Sequence, residues 1–437
     1  MKTAAKWLVP MVLIVFIVAP GITGFWVESE IDNSAEQLSA ILRQQDVQLL
    51  NSSFTRGWFG SDQTAEFGLT SPTLAAILTI LAGPKAVDDI PTLLIETRAT
   101  HGVLPVAKPS HGGLRPAIAQ TRSQLYLKYP ADRSVELPME VYTSVGVGGW
   151  AKLLVQPISR QIVQGSQSTD IEWGGADFEG DSDYRTSGTL RGKVGQLQIA
   201  TSGGKLRLAP STLTGNFSRH QYKYLDSQFE LHVPAVAFDV QQGDPMGIED
   251  LQASSTLVTL DNRATGAHRM QTGQLTLPGL MLDSTNVAFE FDFDAQAFSD
   301  FYMLARNIVH RPDTPTEKPT AIESAFVDMV RKGGTLKIEK FELSIEGSLL
   351  QVEMDLKIPS GQQDIASALK NSNGTGSIVL PQNAVNILSR HSQQIAFMIQ
   401  MGAGAGFIQK TGQAYTADIK YEDGLLLLNG LPLQLPF

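Results

Sequence analysis

Cysteine is absent from this 437-residue chain. Its absence excludes disulfide bonds, thiolate metal sites and cysteine nucleophiles. Charged residues are also scarce, at 18% of the chain, and the net charge is −10 because acidic residues outnumber basic ones. Without a basic stripe to displace counterions from phosphates, the chain is not expected to bind nucleic acid. The hydrophobic content of 42% is that of a folded protein and excludes wholesale disorder.

Catalytic and cofactor motifs are equally sparse. The sequence has no Gly-x-Ser-x-Gly nucleophile elbow, no Walker-type phosphate loop and no Gly-x-Gly-x-x-Gly fingerprint after a predicted strand. Ser367 and Lys370 match Ser-x-x-Lys, but the companion Ser-Asp-Asn and Lys-Thr-Gly elements are missing. None of the seven histidines has the i,i+4 or His-x-His spacing typical of metal ligands. We therefore expect no catalytic residue, no cofactor and no metal.

Two acidic runs with alternating spacing are the remaining candidates for a cation site. The first is Asp177, Glu179, Asp181 and Asp183, and the second is Glu290, Asp292 and Asp294. A calcium loop needs six to eight oxygen ligands and its own twelve-residue pattern, which neither run has. We predict that both runs are the solvated faces of strands.

The segment of residues 7–26, WLVPMVLIVFIVAPGITGFW, carries no charge. A helix of this length rises about 30 Å, which matches the hydrocarbon core of a bilayer. Lys2 and Lys6 precede it and acidic residues follow it, so the segment predicts a signal-anchor with a cytoplasmic N-terminus. The alternative is a cleaved signal peptide, for which Ala19 and Gly21 are the small residues near a cleavage point.

A short pattern recurs beyond this segment: Gly, any residue, Leu or Ile, any residue, Leu or Ile. Its six copies begin at Gly195, Gly204, Gly273, Gly334, Gly376 and Gly424. Each copy predicts a turn residue followed by a strand whose alternate side chains are apolar. Phe289, Phe291 and Phe293 alternate with acidic residues in the same way. Because the copies are irregularly spaced, we expect long antiparallel sheets made of hairpins and no solenoid.

Helical periodicity is confined to a few segments. Amphipathic spacing predicts helices over residues 34–42, 298–308, 320–330 and 382–401, and residues 74–81 read as a helix or a buried strand. The fold class is therefore α+β and strand-dominated, with long antiparallel sheets, packed helices and one preceding transmembrane helix. The predicted organisation is a cytoplasmic tip, a signal-anchor, a periplasmic β-rich region, a Pro-rich connector and a C-terminal α+β region, at residues 1–6, 7–26, 27–310, 311–320 and 321–437.

Three motifs carry a family resemblance. They are residues 54–61 (FTRGWFGS), residues 101–104 (HGVL) and residues 415–430 (YTADIKYEDGLLLLNG). Together with the anchor and the chain length, they resemble the YdgA-like family of bacterial inner-membrane-anchored periplasmic proteins, a family of unknown function. The chain departs from the family at Val103, where the family tends to have proline. The resemblance implies an inner-membrane anchor and a periplasmic body, and it assigns no catalytic residues.

Two of these motifs contain the candidate interaction site. Its residues are Arg56, Gly57, Trp58, Phe59, His101 and Gly102. An aromatic pair beside an arginine suits a binding surface. The structural interpretation, which we favour, is that Gly57 and Gly60 bracket a strand edge or bulge, that Trp58 or Phe59 fills the core, and that His101 has a turn or core role.

The function predicted from the sequence is that of a non-enzymatic, membrane-anchored envelope protein. The supply of apolar strand faces suggests that a sheet groove holds a hydrophobic or lipid ligand. One alternative is a structural or scaffolding protein that binds itself or another envelope protein through strand edges or helix faces. The other alternative is a hydrolase whose site is assembled from distant residues. The candidate partners are thus the inner membrane through residues 7–26, a lipid, an envelope protein and a second copy of the chain.

Overall fold

The computed structural model describes thirteen segments of the chain: residues 47–57, 60–69, 91–101, 117–129, 133–146, 148–164, 167–183, 187–201, 203–222, 224–241, 243–309, 318–391 and 393–433. Of the residues that the structure describes, 69% are strand and 15% are helix, which confirms a strand-dominated antiparallel fold with few helices. The predicted membrane segment at residues 7–26 and the predicted helix at residues 34–42 lie outside the described segments. Within them, no helix is both long enough and apolar enough to cross a bilayer.

The chain forms two compact units. The first contains residues 1–203 and 309–312, and the second contains residues 204–308 and 313–437. The boundary at Gly204 lies inside the predicted β-rich region of residues 27–310. The predicted connector at residues 311–320 lies mostly outside the described segments, although a helix begins at Lys318.

Eleven strands are described in the first unit. They are β1 (Val47–Arg56), β2 (Gly60–Leu69), β3 (Thr92–His101), β4 (Ala117–Tyr129), β5 (Arg133–Gly146), β6 (Trp150–Val155), β7 (Ile158–Gln164), β8 (Gln167–Trp173), β9 (Ala176–Ser182), β10 (Ser187–Val194) and β11 (Leu197–Thr201). Antiparallel pairing joins β1 through β6 in chain order and continues through β9 to β10, while β8 pairs with β7 and β11. Phe67 and Leu127 lie at the centre of a buried apolar cluster in this unit.

The second unit contains the remaining strands and all the described helices. The strands are β12 (Gly204–Leu208), β13 (Ser211–Arg219), β14 (Leu225–Val240), β15 (Met246–Leu260), β16 (Arg263–Thr272), β17 (Leu275–Leu277), β18 (Leu280–Leu282), β19 (Ser284–Asp294), β20 (Gly334–Ile345), β21 (Ser348–Ile358), β22 (Asn373–Pro381), β23 (Gln409–Thr411), β24 (Ala414–Glu422), β25 (Leu425–Leu428) and β26 (Leu431–Leu433). The helices are α1 (Ala295–Val309), α2 (Lys318–Arg331), α3 (Ile365–Lys370), α4 (Gln382–His391) and α5 (Gln393–Gly404).

One antiparallel sheet organises this unit. Its strands neighbour one another in the order β13, β14, β15, β16, β19, β20, β21, β22, β24, β25 and β26. Helices pack on one face of the sheet at two separate places. Phe291 and Phe293 meet Phe298 of α1 and Met329 of α2 in one cluster. Ile345 packs against α4 in the other cluster, together with strand β18.

The strand predictions are largely confirmed, and their exceptions are local. All six Gly-x-Leu/Ile copies contribute to strands. Gly376 is an exception to the turn assignment because it lies in the middle of β22, paired on both sides. The helix expected over residues 382–401 is two helices, α4 and α5, and the helix expected from Thr320 begins two residues earlier. Gly333, with φ of +79°, follows the end of α2 as predicted.

Candidate functional site

The first family-like motif forms a hairpin turn in the first unit. Strand β1 ends at Arg56, which pairs with Ser61 near the start of β2. The N–H of Gly57 donates to the carbonyl of Gly60 at 2.8 Å, and a Cβ on Gly57 would lie 2.5 Å from that oxygen. The two glycines therefore bracket the turn itself, not a strand bulge. Arg56 is exposed, and Trp58 and Phe59 lie outside the described residues.

The second motif meets the first on the neighbouring strand. His101 ends β3, and its Nε2 lies 3.0 Å from Ser61 Oγ across 40 residues of sequence. Both side chains are buried. Gly102 lies outside the described residues. A buried hydrogen-bonded pair next to a hairpin turn fits the core role favoured for His101, while the interaction role of this motif stays a prediction.

The third motif lies in the second unit, in β24 and β25. Its residues Ile419 and Tyr421 face the same side of the sheet, because they are two apart in one strand. Across β22 they are paired with Gly376 and Gly374, and across β25 with Leu428 and Leu426. This motif therefore contributes to the sheet face on which the helices also pack.

Cross-strand register extends this face into an unbroken row. We call the nine directly paired residues the central row: Phe229, Ser255, His268, Phe289, Ile338, Met354, Gly376, Ile419 and Leu428. The row crosses nine strands, so it spans about 38 Å. None of its residues is buried, and Phe289 is 39% exposed. A strip of mainly apolar side chains thus stays open between the two helix-covered clusters.

Two flanking rows widen the open strip into an apolar face. One row contains Ser227, Leu257, Gly266, Phe291, Leu336, Leu356, Gly374, Tyr421 and Leu426. The other row contains Leu231, Ala253, Met270, Val287, Phe341, Val352, Ile378 and Ala417. The three rows carry no Asp, Glu, Lys or Arg. The opposite face is charged, with Glu290, Lys337 and Asp355 in direct register.

Glycines in β22 open a cavity in the apolar face. The cavity has a volume of about 190 Å³. It is lined by Met354, Leu356, Leu369, Gly374, Thr375, Ile419, Tyr421 and Leu426. Gly374 adds no side chain to this lining, and Leu356 and Tyr421 lie beside it on the two neighbouring strands. Burial raises the pKa of Tyr421, which keeps its hydroxyl neutral. The third motif and helix α3, through Leu369, therefore form the walls of a cavity suited to hydrocarbon.

A second cavity lies on the same face, four strands away. It has a volume of about 370 Å³ and is lined mainly by Phe229, Leu231, Ala253, Ser255, His268, Met270, Val287 and Phe289. The His268 ring stacks on Phe289, with 4.6 Å between the ring centroids. Burial lowers the pKa of His268, so its neutral form is favoured. Arg269 also borders this cavity, but its guanidinium pairs with Glu339 at 3.3 Å.

A polar network elsewhere in the second unit resembles a catalytic cluster, but its histidine is not placed to act as the base. Thr259 Oγ1 lies 3.1 Å from His220 Nε2, which also lies 2.9 Å from Asp226 Oδ1. His220 Nδ1 accepts the N–H of Tyr222 at 3.1 Å, so neutral His220 carries its proton on Nε2 and donates it to Asp226. Nε2 therefore has no lone pair with which to take the proton of Thr259.

The acidic runs are partly engaged in local contacts. Asp177 pairs with Lys152 at 3.0 Å, and Asp183 Oδ1 accepts the N–H of Ser187 at 2.8 Å. Asp292 pairs with Arg263 at 2.7 Å, on the face opposite Phe289 as the alternation predicts. In the described segments, no group of three or more His, Asp or Glu residues is placed to hold a metal.

Some of the residues that line the two cavities lie in recognisable sequence patterns, among them Ile419, Tyr421 and Phe289. Ser255, His268 and Gly374 match no motif. The available signal was the pair Gly374 and Gly376 at strand spacing between apolar strands, since glycine inside a strand marks a place where another group approaches the backbone.

A family model described as bacterial protein of unknown function (DUF945) matches residues 1–436. No curated protein and no solved structure matches the chain.

Proposed function

Since the chain belongs to DUF945, a bacterial family of unknown function, its role must be inferred from its own residues, and we propose that it binds a lipid acyl chain. The binding site is the apolar face of the second unit, along the central row. The observation that carries the proposal is the row itself: nine paired residues without a charge, none of them buried, with a glycine-floored cavity in their path.

The shape of the face favours a hydrocarbon chain over a protein helix. Gly374 has no side chain, and Leu356 and Tyr421 lie beside it on the two neighbouring strands. A Cβ at Gly374 would lie 3.2 Å from Leu356 Cδ1, so this trough is narrow, whereas a helix with its side chains is about 10–12 Å across. Each methylene that moves from water into such a trough contributes about 0.8 kcal/mol. Lipid binding therefore needs no charged anchor on this face.

Photocrosslinking in living cells tests the proposal with the full chain. Benzoylphenylalanine, a photoreactive amino acid, is placed at Phe289 or Met354 on the apolar face. The matched controls carry it at Glu290 or Asp355, the next residue along each strand, which faces the opposite side. After irradiation, mass spectrometry of the purified chain measures the fraction that carries a lipid adduct.

We expect lipid adducts at Phe289 and Met354 and only background labelling at Glu290 and Asp355. Equal labelling at a test position and at its control, Glu290 or Asp355, would show that the label reports membrane proximity alone, and the proposal would be abandoned. If the adducts at Phe289 and Met354 contain a protein and no lipid, the ligand of the apolar face is a polypeptide.

Residues 7–26 support a location for this activity. We propose that they anchor the chain in the inner membrane, that the body is periplasmic, and that the family corresponds to the YdgA-like proteins. An alkaline phosphatase fused to the C-terminus is then active, because that enzyme requires the oxidising periplasm. An inactive phosphatase fusion together with an active cytoplasmic reporter would reverse the orientation.

Self-association is a second candidate function, favoured by one observation on α5. This helix exposes Phe397 (63%), Met398 (49%) and Met401 (58%). The chain carries no charge from Ser392 to Gln409. These exposed side chains form an apolar patch on α5. In a two-fold symmetric dimer the patch of one chain contacts the same patch of the other chain, and an uncharged patch meets no like-charge repulsion there. The occupant that we propose for this patch is therefore a second copy of the chain.

The oligomeric state of the full chain in detergent tests self-association. Analytical ultracentrifugation is expected to find a dimer for the native chain and a monomer for the Phe397→Ser, Met401→Ser double variant. Gln400→Ser, at an exposed polar position of the same helix, is the control and keeps the dimer. A monomeric native chain would eliminate this candidate. The hydrolase alternative stays a prediction.

A further inference from the structure

Two polar side chains interrupt the central row at one point. Ser255 in β15 and His268 in β16 are direct cross-strand partners, and both are half-buried. Their neighbours along the row are Phe229 on one side and Phe289 on the other. The rest of the row, from Phe289 to Leu428, is apolar or glycine. The apolar face is therefore asymmetric, with one polar pair towards one end.

The hydrogen-bonding atoms of this pair are not used within the protein. In the segments that the structure describes, neither Ser255 Oγ nor the His268 ring nitrogens form a hydrogen bond. The ring instead stacks on Phe289 and lies 5.9 Å from the centroid of Phe291. Both side chains are half-buried on the open row and keep hydrogen-bonding capacity, so a ligand that covers them loses least free energy when it supplies a polar group there.

The surroundings of the pair decide the charge of that group. The elements packed against His268 present Ser255 and Leu257 from β15 and Phe289 and Phe291 from β19, and none of these residues is charged. Arg269 borders the cavity, but strand alternation places it on the other face from His268, and its guanidinium is already paired with Glu339. Burial of His268 also favours the neutral imidazole. A carboxylate or phosphate would be desolvated here without a counter-ion, whereas a hydroxyl or ester would not.

From this juxtaposition we infer that Ser255 and His268 hold the head of the bound lipid, and that the head is neutral and hydrogen-bonding, as in a fatty alcohol or a monoacylglycerol. The inference rests on the proposed lipid-binding function and names the ligand class. The tail lies along the central row towards the cavity at Gly374, which is four strand spacings or about 19 Å from His268. The hydroxyl of Ser255 and the imidazole each provide both a donor and an acceptor for the head.

Two photoreactive probes that differ only in their heads test this assignment. They are oleyl alcohol and oleic acid, each with a diazirine near the end of the tail, added to membranes that contain the full chain at near-neutral pH. Labelled peptides are identified by mass spectrometry. We expect adducts in the peptides of β22 and β24, and about two- to tenfold more labelling by the alcohol, the range given by one hydrogen bond.

Variants assign the preference to the two side chains. Ser255→Ala and His268→Phe are expected to abolish the preference for the alcohol while keeping labelling of β22 and β24. Thr256→Ala, on the opposite face of the same strand, is the control and keeps the preference. Equal or greater labelling by oleic acid, or an unchanged preference in both variants, would overturn the inference and leave lipid binding intact. Absence of β22 and β24 adducts with either probe would instead overturn the proposed function.

Discussion

Ser61 Oγ lies 3.0 Å from His101 Nε2, and this contact joins two motifs that are 40 residues apart. Both side chains are buried on adjacent strands of the first unit. The contact explains why a serine at the end of one short motif and a histidine at the start of another belong together. Its function is to fix the pairing of β2 and β3 beside the hairpin turn.

Replacing Ser61 tests this structural role. Ser61→Ala leaves a buried imidazole nitrogen without its hydrogen bond and is expected to destabilise the first unit by about 1–2 kcal/mol. Trp150 and Trp173 lie in strands β6 and β8 of this unit, and the second unit has no tryptophan, so a change in tryptophan fluorescence during urea unfolding does not arise from the second unit. Ser53→Ala, at an exposed position of β1, is the control and leaves the midpoint unchanged. A native-like midpoint for Ser61→Ala would show that the hydrogen bond contributes nothing.

Filling the glycine floor should block the ligand. A Cβ at Gly374 would lie 3.2 Å from Leu356 Cδ1 and 3.3 Å from Tyr421 Cβ. Gly374→Leu therefore crowds Leu356 and Tyr421 and occupies part of the 190 Å³ cavity, and it is expected to reduce lipid adducts at position 354 by about tenfold, the effect of losing two methylene contacts. Ser377→Leu adds the same side chain to the opposite face of β22 and keeps the adducts. Gly374→Ala adds a smaller side chain at the same place. If occlusion is the cause, its loss of lipid adducts should lie between those of the native chain and Gly374→Leu.

The half-buried His268 should make the second unit sensitive to mild acid. Burial lowers the pKa of His268 below the unfolded value of about 6.5, so above that pH both states are neutral and its contribution to stability is fully present. As the pH falls below about 6.5, the unfolded chain takes up a proton that the folded chain resists, and stability is lost. His268→Phe keeps the stacking and removes this loss. Hydrogen exchange of β16 at about pH 7.5 and pH 5.5 measures the difference, and an identical acid response in both proteins would refute it.

The helix that flanks the apolar face depends on one carboxylate. Asp294 Oδ1 accepts the N–H of Ala297 at 2.9 Å and the ammonium of Lys332 at 2.8 Å. Burial raises the pKa of Asp294, but these two donors outweigh it and leave the pKa lowered. Asp294→Ala is expected to cost about 1 kcal/mol, seen as faster hydrogen exchange in α1. Gln296→Ala, in the exposed first turn of that helix, is the matched control.

The contribution of Asp294 to stability also depends on pH. Folding favours the charged form of Asp294, whereas it favours the neutral form of His268. Because the folded pKa of Asp294 is lowered, its contribution is present above the unfolded value of about 3.9 and disappears as the pH falls through the folded pKa. The exchange difference between the native chain and Asp294→Ala should therefore vanish in strong acid. A difference that persists there would show that the carboxylate acts by packing alone.

The strands and the sidedness of each strand were readable from the sequence. Phe289, Phe291 and Phe293 alternate with acidic residues, and the Gly-x-Leu/Ile copies at Gly334 and Gly424 lie where strands β20 and β25 form. Such patterns depend only on neighbours two residues apart, because successive side chains of a strand point to opposite faces. The same reasoning from neighbouring residues wrongly assigned Gly376 to a turn, because the residues around it do not show that β22 begins at Asn373.

Register between strands was decided only by the tertiary structure. Gly376 meets Ile419 across 43 residues, and Ser255 meets His268 across 13 residues, through pairings that no local pattern encodes. A shift of one residue in any of these pairings would turn a strand's apolar set to the opposite face. The alternation of apolar side chains therefore determined that this chain would form sheets with one apolar face. Cross-strand packing alone determined that nine strands align into one open row, with a glycine floor and a single polar pair.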